Sequence, residues 1–168
     1  LPPEERRQIA DVVELVEAVE LTDVFMFEER GRRIDVTGTS DDEPIVYSFA
    51  SIGDREDDDE GEYGIGFRFR IVFDDRLGNE FVSDFQARYM LQGPTDVPKA
   101  VRAEFAERVA FFAVYPYLRA SIQMTASRMA APAPVLEMVR AGEFSLGDSM
   151  SPEDVEEQFR DLAPEGRT

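Results

Sequence analysis

The chain of 168 residues contains no cysteine and no histidine, and Lys99 is the single lysine among its 18 basic residues. Without thiols there are no disulfides, thiolate metal sites or cysteine nucleophiles. Without imidazole the commonest general base and metal ligand are gone as well. No run approaches the roughly 20 consecutive apolar residues that cross a bilayer, and no basic segment leads into an apolar one at the start. A soluble, cytoplasmic protein with no membrane insertion is expected. The 36 acidic residues outnumber the basic ones so far that the net charge is -18, which repels phosphate backbones and anionic membranes. Nucleic acid is therefore not an expected partner; basic or unfolded polypeptide fits better, although the same charge also keeps an aromatic-rich chain in solution.

What is present fits a single domain with a tail. The expected division is a domain over residues 1–146 and a tail over 147–168. Pro2, Pro3, Glu4 and Glu5 stand where a helix start favours them, and Ile9, Val12, Val13, Val16 and Val19 share a helical face, predicting a helix over about residues 3–18. The period then changes to two. VELTDVFMFEE and PIVYSFASI read as strands, and EYGIGFRFRIVFDDRLGNEFVSDFQARYML reads as a hairpin turning at Gly78 and Asn79. Along its first arm Tyr63, Ile65, Phe67, Phe69, Ile71 and Phe73 form an apolar face, opposite Gly64, Gly66, Arg68, Arg70, Val72 and Asp74. Along the second, Phe81, Phe85 and Tyr89 oppose Val82, Asp84, Gln86 and Arg88.

A long helical pattern follows, with Val101, Phe105, Val109, Phe112, Leu118, Ile122, Thr125 and Met129 at three- and four-residue intervals. It covers the aromatic side of the sheet. Pro116 lies inside it and removes one rung of the hydrogen-bond ladder, so either a kinked helix or two helices joined at Ala113 to Tyr115 is expected. The fold class is α+β: a four-stranded antiparallel sheet covered on one face by a long kinked helix. After MAAPAPVLEMVRAGEF, too proline-rich to continue it, SPEDVEEQFRDL reads as a short amphipathic helix.

Chemistry-bearing patterns are few. The loop DREDDDEGEYG places Phe67 where a calcium loop needs a bidentate acid, and strands flank it, so a solvated hairpin loop is expected. Gly64-Ile65-Gly66 lacks the third glycine and the Lys-Ser/Thr pair of a phosphate loop, and such glycines mark a bulge or a close approach of another backbone. A general acid needs a buried carboxyl, whereas most acids here fall in loops or on exposed faces. No enzyme, cofactor or metal is expected. The aromatic content is more telling, because Phe, Met and Val in this number suit either a core or a peptide groove. Phe25 and Phe27 share strand parity with Asp23, so their face is either covered or an exposed apolar strip.

Four antiparallel strands, a long helix containing Tyr115-Pro116-Tyr117-Leu118-Arg119 and a proline-rich exit resemble the SecB family of export chaperones over about residues 19–145. FFAVYPYLRASIQMTASRMAAP is similar to that family's F-P-Y-A-R helix, and EFVSDFQ to a segment of its fourth strand. The resemblance implies an ATP-independent holdase and a homotetramer, a dimer of dimers with the long helices between two eight-stranded sheets. Phe112, Tyr115, Pro116, Tyr117 and Leu118 would then lie at the oligomer interface. Unfolded polypeptide would bind in a groove between the sheet edge and the segment from Pro134 to Phe144, at Leu136, Met138, Val139 and Phe144, and on the separate apolar strip of Phe25 and Phe27. An acidic outer face receives the motor SecA in export chaperones, and the matching positions are Asp23, Val82 and Asp84, but Phe27 replaces the second acid of the first-strand motif. RMAAPAPVLEMVR is also similar to the R-x-A-x-P-x-x-x-L-E pattern of SecB-like chaperones in toxin-antitoxin systems, where the client is an antitoxin. A non-chaperone adaptor binding one folded partner is the reading of a different class.

Overall fold

Alternating side chains build the sheet, and their register can be followed residue by residue in the computed structural model, which describes residues 6–57, 60–136, 139, 142–147 and 153. In chain order the elements are β1 (Arg7–Gln8), α1 (Val12–Ala18), β2 (Val19–Arg33), β3 (Ile45–Asp57), β4 (Glu62–Asp74), β5 (Asn79–Leu91), β6 (Thr95–Asp96), α2 (Lys99–Phe105), a π-helical turn (Ala106–Ala110) and α3 (Phe111–Arg128). The four long strands form an antiparallel sheet in the order β2-β5-β4-β3. The expected α+β class and four-stranded sheet are present. The tail helix expected over residues 151–162 lies, apart from Glu153, outside the described residues.

The hairpin turns where glycine was expected to turn it. Gly78 has φ +98°, a backbone open mainly to glycine, and the Asp75 carboxylate accepts from the backbone N–H groups of Leu77 and Asn79 at 2.8 and 3.0 Å. On the helix side, all six predicted apolar residues of β4 and the three aromatics of β5 are buried. Phe67 packs edge-on to Tyr89 and tilted against Phe105 of α2, with ring centroids 5.7 and 5.1 Å apart.

The N-terminus corrects the expected helix over 3–18. The helix begins only at Val12, because Asp11 and Glu14 form the stronger start signal. The Asp11 carboxylate accepts from the Glu14 N–H at 2.9 Å, and the Glu14 carboxylate accepts from the Ala10 N–H at 2.8 Å, a reciprocal cap. Leu15 and Ala18 turn inward, while Val13 and Val16 are exposed. Upstream, Arg7–Gln8 instead pairs in parallel with β6. The Gln8 amide and the Arg6 guanidinium both donate to Asp96, at 2.8 and 2.7 Å, and hold its carboxyl below the usual range.

The helical cover is continuous through Pro116, which overturns the alternative of two helices joined at Ala113 to Tyr115. Its irregularity lies earlier, at the π turn, where the Phe111 N–H reaches back five residues to the Ala106 carbonyl. This accommodates one residue more than an α-turn. The buried line therefore steps from Phe105 and Ala106 to Ala110 and Phe111, then runs through Val114, Leu118, Ile122 and Ala126. Val109 and Phe112, placed on that line by regular spacing, are only half-buried. At its far end α3 lies on Gly31, where a Cβ would collide with Thr125 and Met129.

Candidate functional site

Three surfaces carry the residues singled out from the sequence. The first lies beside β3, a sheet-edge strand whose helix-side positions Val46, Ser48 and Ala50 are exposed. Residues 144–147 lie against this edge. Leu136 is buried in the core, Val139 is half-buried, and Met138 lies outside the described residues. Phe144 stacks flat on Phe111 at 3.8 Å between centroids and meets Phe69 edge-on at 6.0 Å. The next turn is held by the Leu146 N–H, which donates to the Glu107 carboxylate at 2.7 Å. What remains between β3 and this segment is a cavity of about 80 Å³, floored by Phe69 and Ile71 and walled by Ala50, Phe111, Phe144 and Leu146.

The second surface is the outer face of the sheet, away from α3. Register sets its cross-strand rows, from β3 to β2: Tyr47, Val72, Val82, Arg30; then Phe49, Arg70, Asp84, Glu28; then Ser51, Arg68, Gln86, Phe25; then Gly53, Gly66, Arg88, Asp23. The second row holds a buried ionic network. Asp84 is 0% exposed and accepts from Arg68 at 2.8 and 2.6 Å and from Arg70 at 3.0 Å, while Arg70 also donates to Glu28 at 2.6 Å. Hydrogen bonding to Asp84 raises the Arg68 pKa further above its ordinary value. Such a pair survives burial because each charge is met by hydrogen bonds.

Of the trio matched to the SecA-type face, only Asp23 is therefore presented to solvent; Val82 and Asp84 are both buried within the protomer. Phe25 is half-buried and Phe27 exposed on this face, their rings 5.1 Å apart. The Arg68 guanidinium lies 4.0 Å from the Phe27 ring and that of Arg88 5.0 Å from the Phe25 ring, an attraction between cation and ring face. Phe27 reaches this position because β2 bulges between Met26 and Glu28, and a bulge re-aims a side chain. Gly64 and Gly66, in contrast, lie in unbroken register. Of the two expected causes, a bulge is absent; a Cβ at Gly64 would crowd the Tyr89 carbonyl oxygen at 3.0 Å, a close backbone approach, whereas Gly66 makes room for the Gln86 amide.

The third surface is the outward flank of α3. Pro116 is exposed and Phe112 and Tyr115 are half-buried; Tyr117 is exposed at the margin, its ring 6.0 Å from that of Phe85 on the helix side of β5, and Leu118 is fully buried against the sheet. Leu118 thus belongs to the protomer core. The loop between β3 and β4 is a hairpin connection, and among the described residues no group of acids is placed to hold a metal ion. No helix among them is long and apolar enough to cross a membrane.

Sequence reasoning missed Phe111, the platform under Phe144, because regular helical spacing assigned Phe112 to the buried line. The five-residue interval from Ala106 was the available signal.

No family model matches the chain. The SecB-like chaperone SmegB of Mycolicibacterium smegmatis is 36% identical over 141 residues, spanning 83% of this chain and 88% of that protein. The Rv1957 SecB-like chaperone of Mycobacterium tuberculosis, solved with a ChAD peptide from the Rv1956 HigA1 antitoxin, aligns with a TM-score of 0.59 at 14% identity, covering 75% of this chain and 94% of that one. At that identity the structural likeness concerns the fold.

Proposed function

The chain belongs to the SecB-like chaperone family, and from that premise we propose that it is an ATP-independent holdase dedicated to an antitoxin. The likeness to SmegB carries the reading. The complex of Rv1957 with an antitoxin peptide supports the choice of client, since that chain shares the fold. The groove beside β3 is the proposed client site. An apolar side chain of an extended antitoxin segment enters the cavity against Phe144 and lies over Phe69, while small Ser48 and Ala50 leave the strand edge approachable. Leu136 and Val139, with Met138, would flank it. Many weak apolar contacts of this kind hold extended clients without demanding one sequence.

No nucleotide and no covalent step enter this scheme; binding and release follow from differential affinity alone. The exposed flank of α3, with Phe112, Tyr115, Pro116 and Tyr117, is the proposed interface of a homotetramer, to be checked by light scattering. Delivery of precursors to SecA is the weaker alternative, because Val82 and Asp84 are closed off and Phe27 stands in place of an acid.

Two measurements test the reading. Purified protein should slow aggregation of the antitoxin diluted from denaturant at stoichiometric ratio, and Phe144→Asp should abolish the effect. Recovery of the tagged chain from its native host should bring down one small antitoxin at near-equal yield. Recovery of SecA with many secretory precursors would replace this role with export, and a rigid complex with one folded protein would replace it with an adaptor.

A further inference from the structure

The outer face of the sheet is interrupted by a cleft of about 270 Å³ across β3, β4 and β5. Glycines make it. Gly53 and Gly66 face each other across β3 and β4, with Gly64 two residues along, so the floor is bare backbone where neighbouring rows carry long side chains. A Cβ at Gly53 would meet nothing within 4 Å, whereas at Gly66 it would strike the Gln86 amide, which lies over that glycine.

Three arginines, Arg55, Arg68 and Arg88, line the cleft in a chain whose net charge is -18. Two of them are committed, Arg55 to Glu62 at 3.0 Å and Arg68 to Asp84. Arg88 differs. Asp23 is its cross-strand neighbour, yet the Arg88 guanidinium lies near the Phe25 ring and has no ion-pair partner among the described residues. The lining acid Asp54 is itself bonded to Arg102. An arginine fork without a carboxylate, beside an apolar wall formed by Met90, is a site for a carboxylate attached to an apolar group.

We propose that this cleft binds an acidic peptide segment, with one carboxylate on Arg88 and an adjacent apolar side chain on the glycine floor against Met90. Charge complementarity selects such a segment over a basic one. The strongly negative remainder of the chain disfavours a nucleic acid, whose many phosphates would meet a single uncommitted cation. The cleft and the groove beside β3 lie on opposite faces of the sheet, so both can be filled at once, and the inference stands whether or not the client is an antitoxin.

Fluorescence anisotropy with a short labelled peptide of glycine and serine carrying one aspartate beside one leucine, and a counterpart with lysine in place of the aspartate, tests the site on the full chain. The aspartate peptide should bind and weaken with added salt, and the lysine peptide should not bind. Arg88→Glu and Gly53→Val should each weaken binding by about tenfold or more, since the first reverses the charge and the second fills the floor without a clash. Both variants should keep their circular dichroism and their binding of an apolar client. Equal binding of both peptides, unchanged binding by both variants, or a preference for a DNA oligomer over the aspartate peptide would overturn the proposal.

Discussion

On β4, Phe67 and Arg68 are neighbours in sequence and lie on opposite faces of the sheet, one beneath Phe105 of α2 and the other bonded to Asp84. At the row of Arg70 and Asp84 both faces are closed, by different means. The helix side is sealed by rings under helices, where area removed from water stabilises the fold at about 25 cal/mol per Å². The outer side is sealed by its own long side chains, with Arg70 and Asp84 at 4% and 0% exposure in a hydrogen-bonded network. A period of two identifies the face that meets the helices. It does not follow that the alternate face is open.

The largest effect is expected on the ring side. Phe67→Ala removes the ring that touches Tyr89 and Phe105 and should cost about 3–5 kcal/mol in chemical denaturation. The outer side should respond to Asp84→Asn with a loss of about 3 kcal/mol, because two arginines lose their shared counter-charge. Replacing Arg68, Arg70 and Asp84 together by Met, Met and Leu should return stability to within about 1 kcal/mol of the parent. If the triple replacement is as damaging as Asp84→Asn, the outer network contributes net stability, and the two faces are more alike than described.

A pH measurement sharpens the comparison on the ring side. Burial raises the Tyr89 phenol above its usual value near 10, since it penalises the charged form. Its contribution is therefore complete below pH 10 and lost as pH rises through the raised value. The denaturation midpoint should fall above pH 10, and fall less in Tyr89→Phe. The smallest effect is expected at the margin of the outer face, where Tyr47 is 56% exposed; Tyr47→Ala should change stability by no more than about 0.5 kcal/mol.

These contrasts also explain what could be read from the sequence. The four strands, the hairpin and its turn, and the buried face of β4 were legible because alternation and glycine punctuation are local signals. The burial of Val82 and Asp84 was not, since it depends on which residues neighbouring strands bring alongside, and that is a matter of register. The two bulges in β2 set that register for Phe27, and nothing in VELTDVFMFEE announces them. At the N-terminus the composition of residues 2–5 suggested an early helix start, whereas the helix begins at Val12, where Asp11 and Glu14 cap it. Of the groove residues, Phe144 stacks on Phe111 beside β3, while Leu136 and Val139 pack into the core cluster. Leu118 was assigned to an interface through the resemblance, although its spacing already placed it on the face that covers the sheet.

The π turn from Ala106 to Ala110 has a consequence for mutation by length rather than by identity. It sets the rotational phase between α2 and everything downstream. Loss of one residue from it would let the ladder close as regular α-helix with Val114, Leu118 and Ile122 still toward the sheet, whereas gain of one would turn Phe111–Arg128 by about 100° about its axis and withdraw them together. A substitution there alters one side chain; a single-codon insertion misaligns five turns of helix. This stretch should accordingly accept loss of a residue far more readily than gain of one.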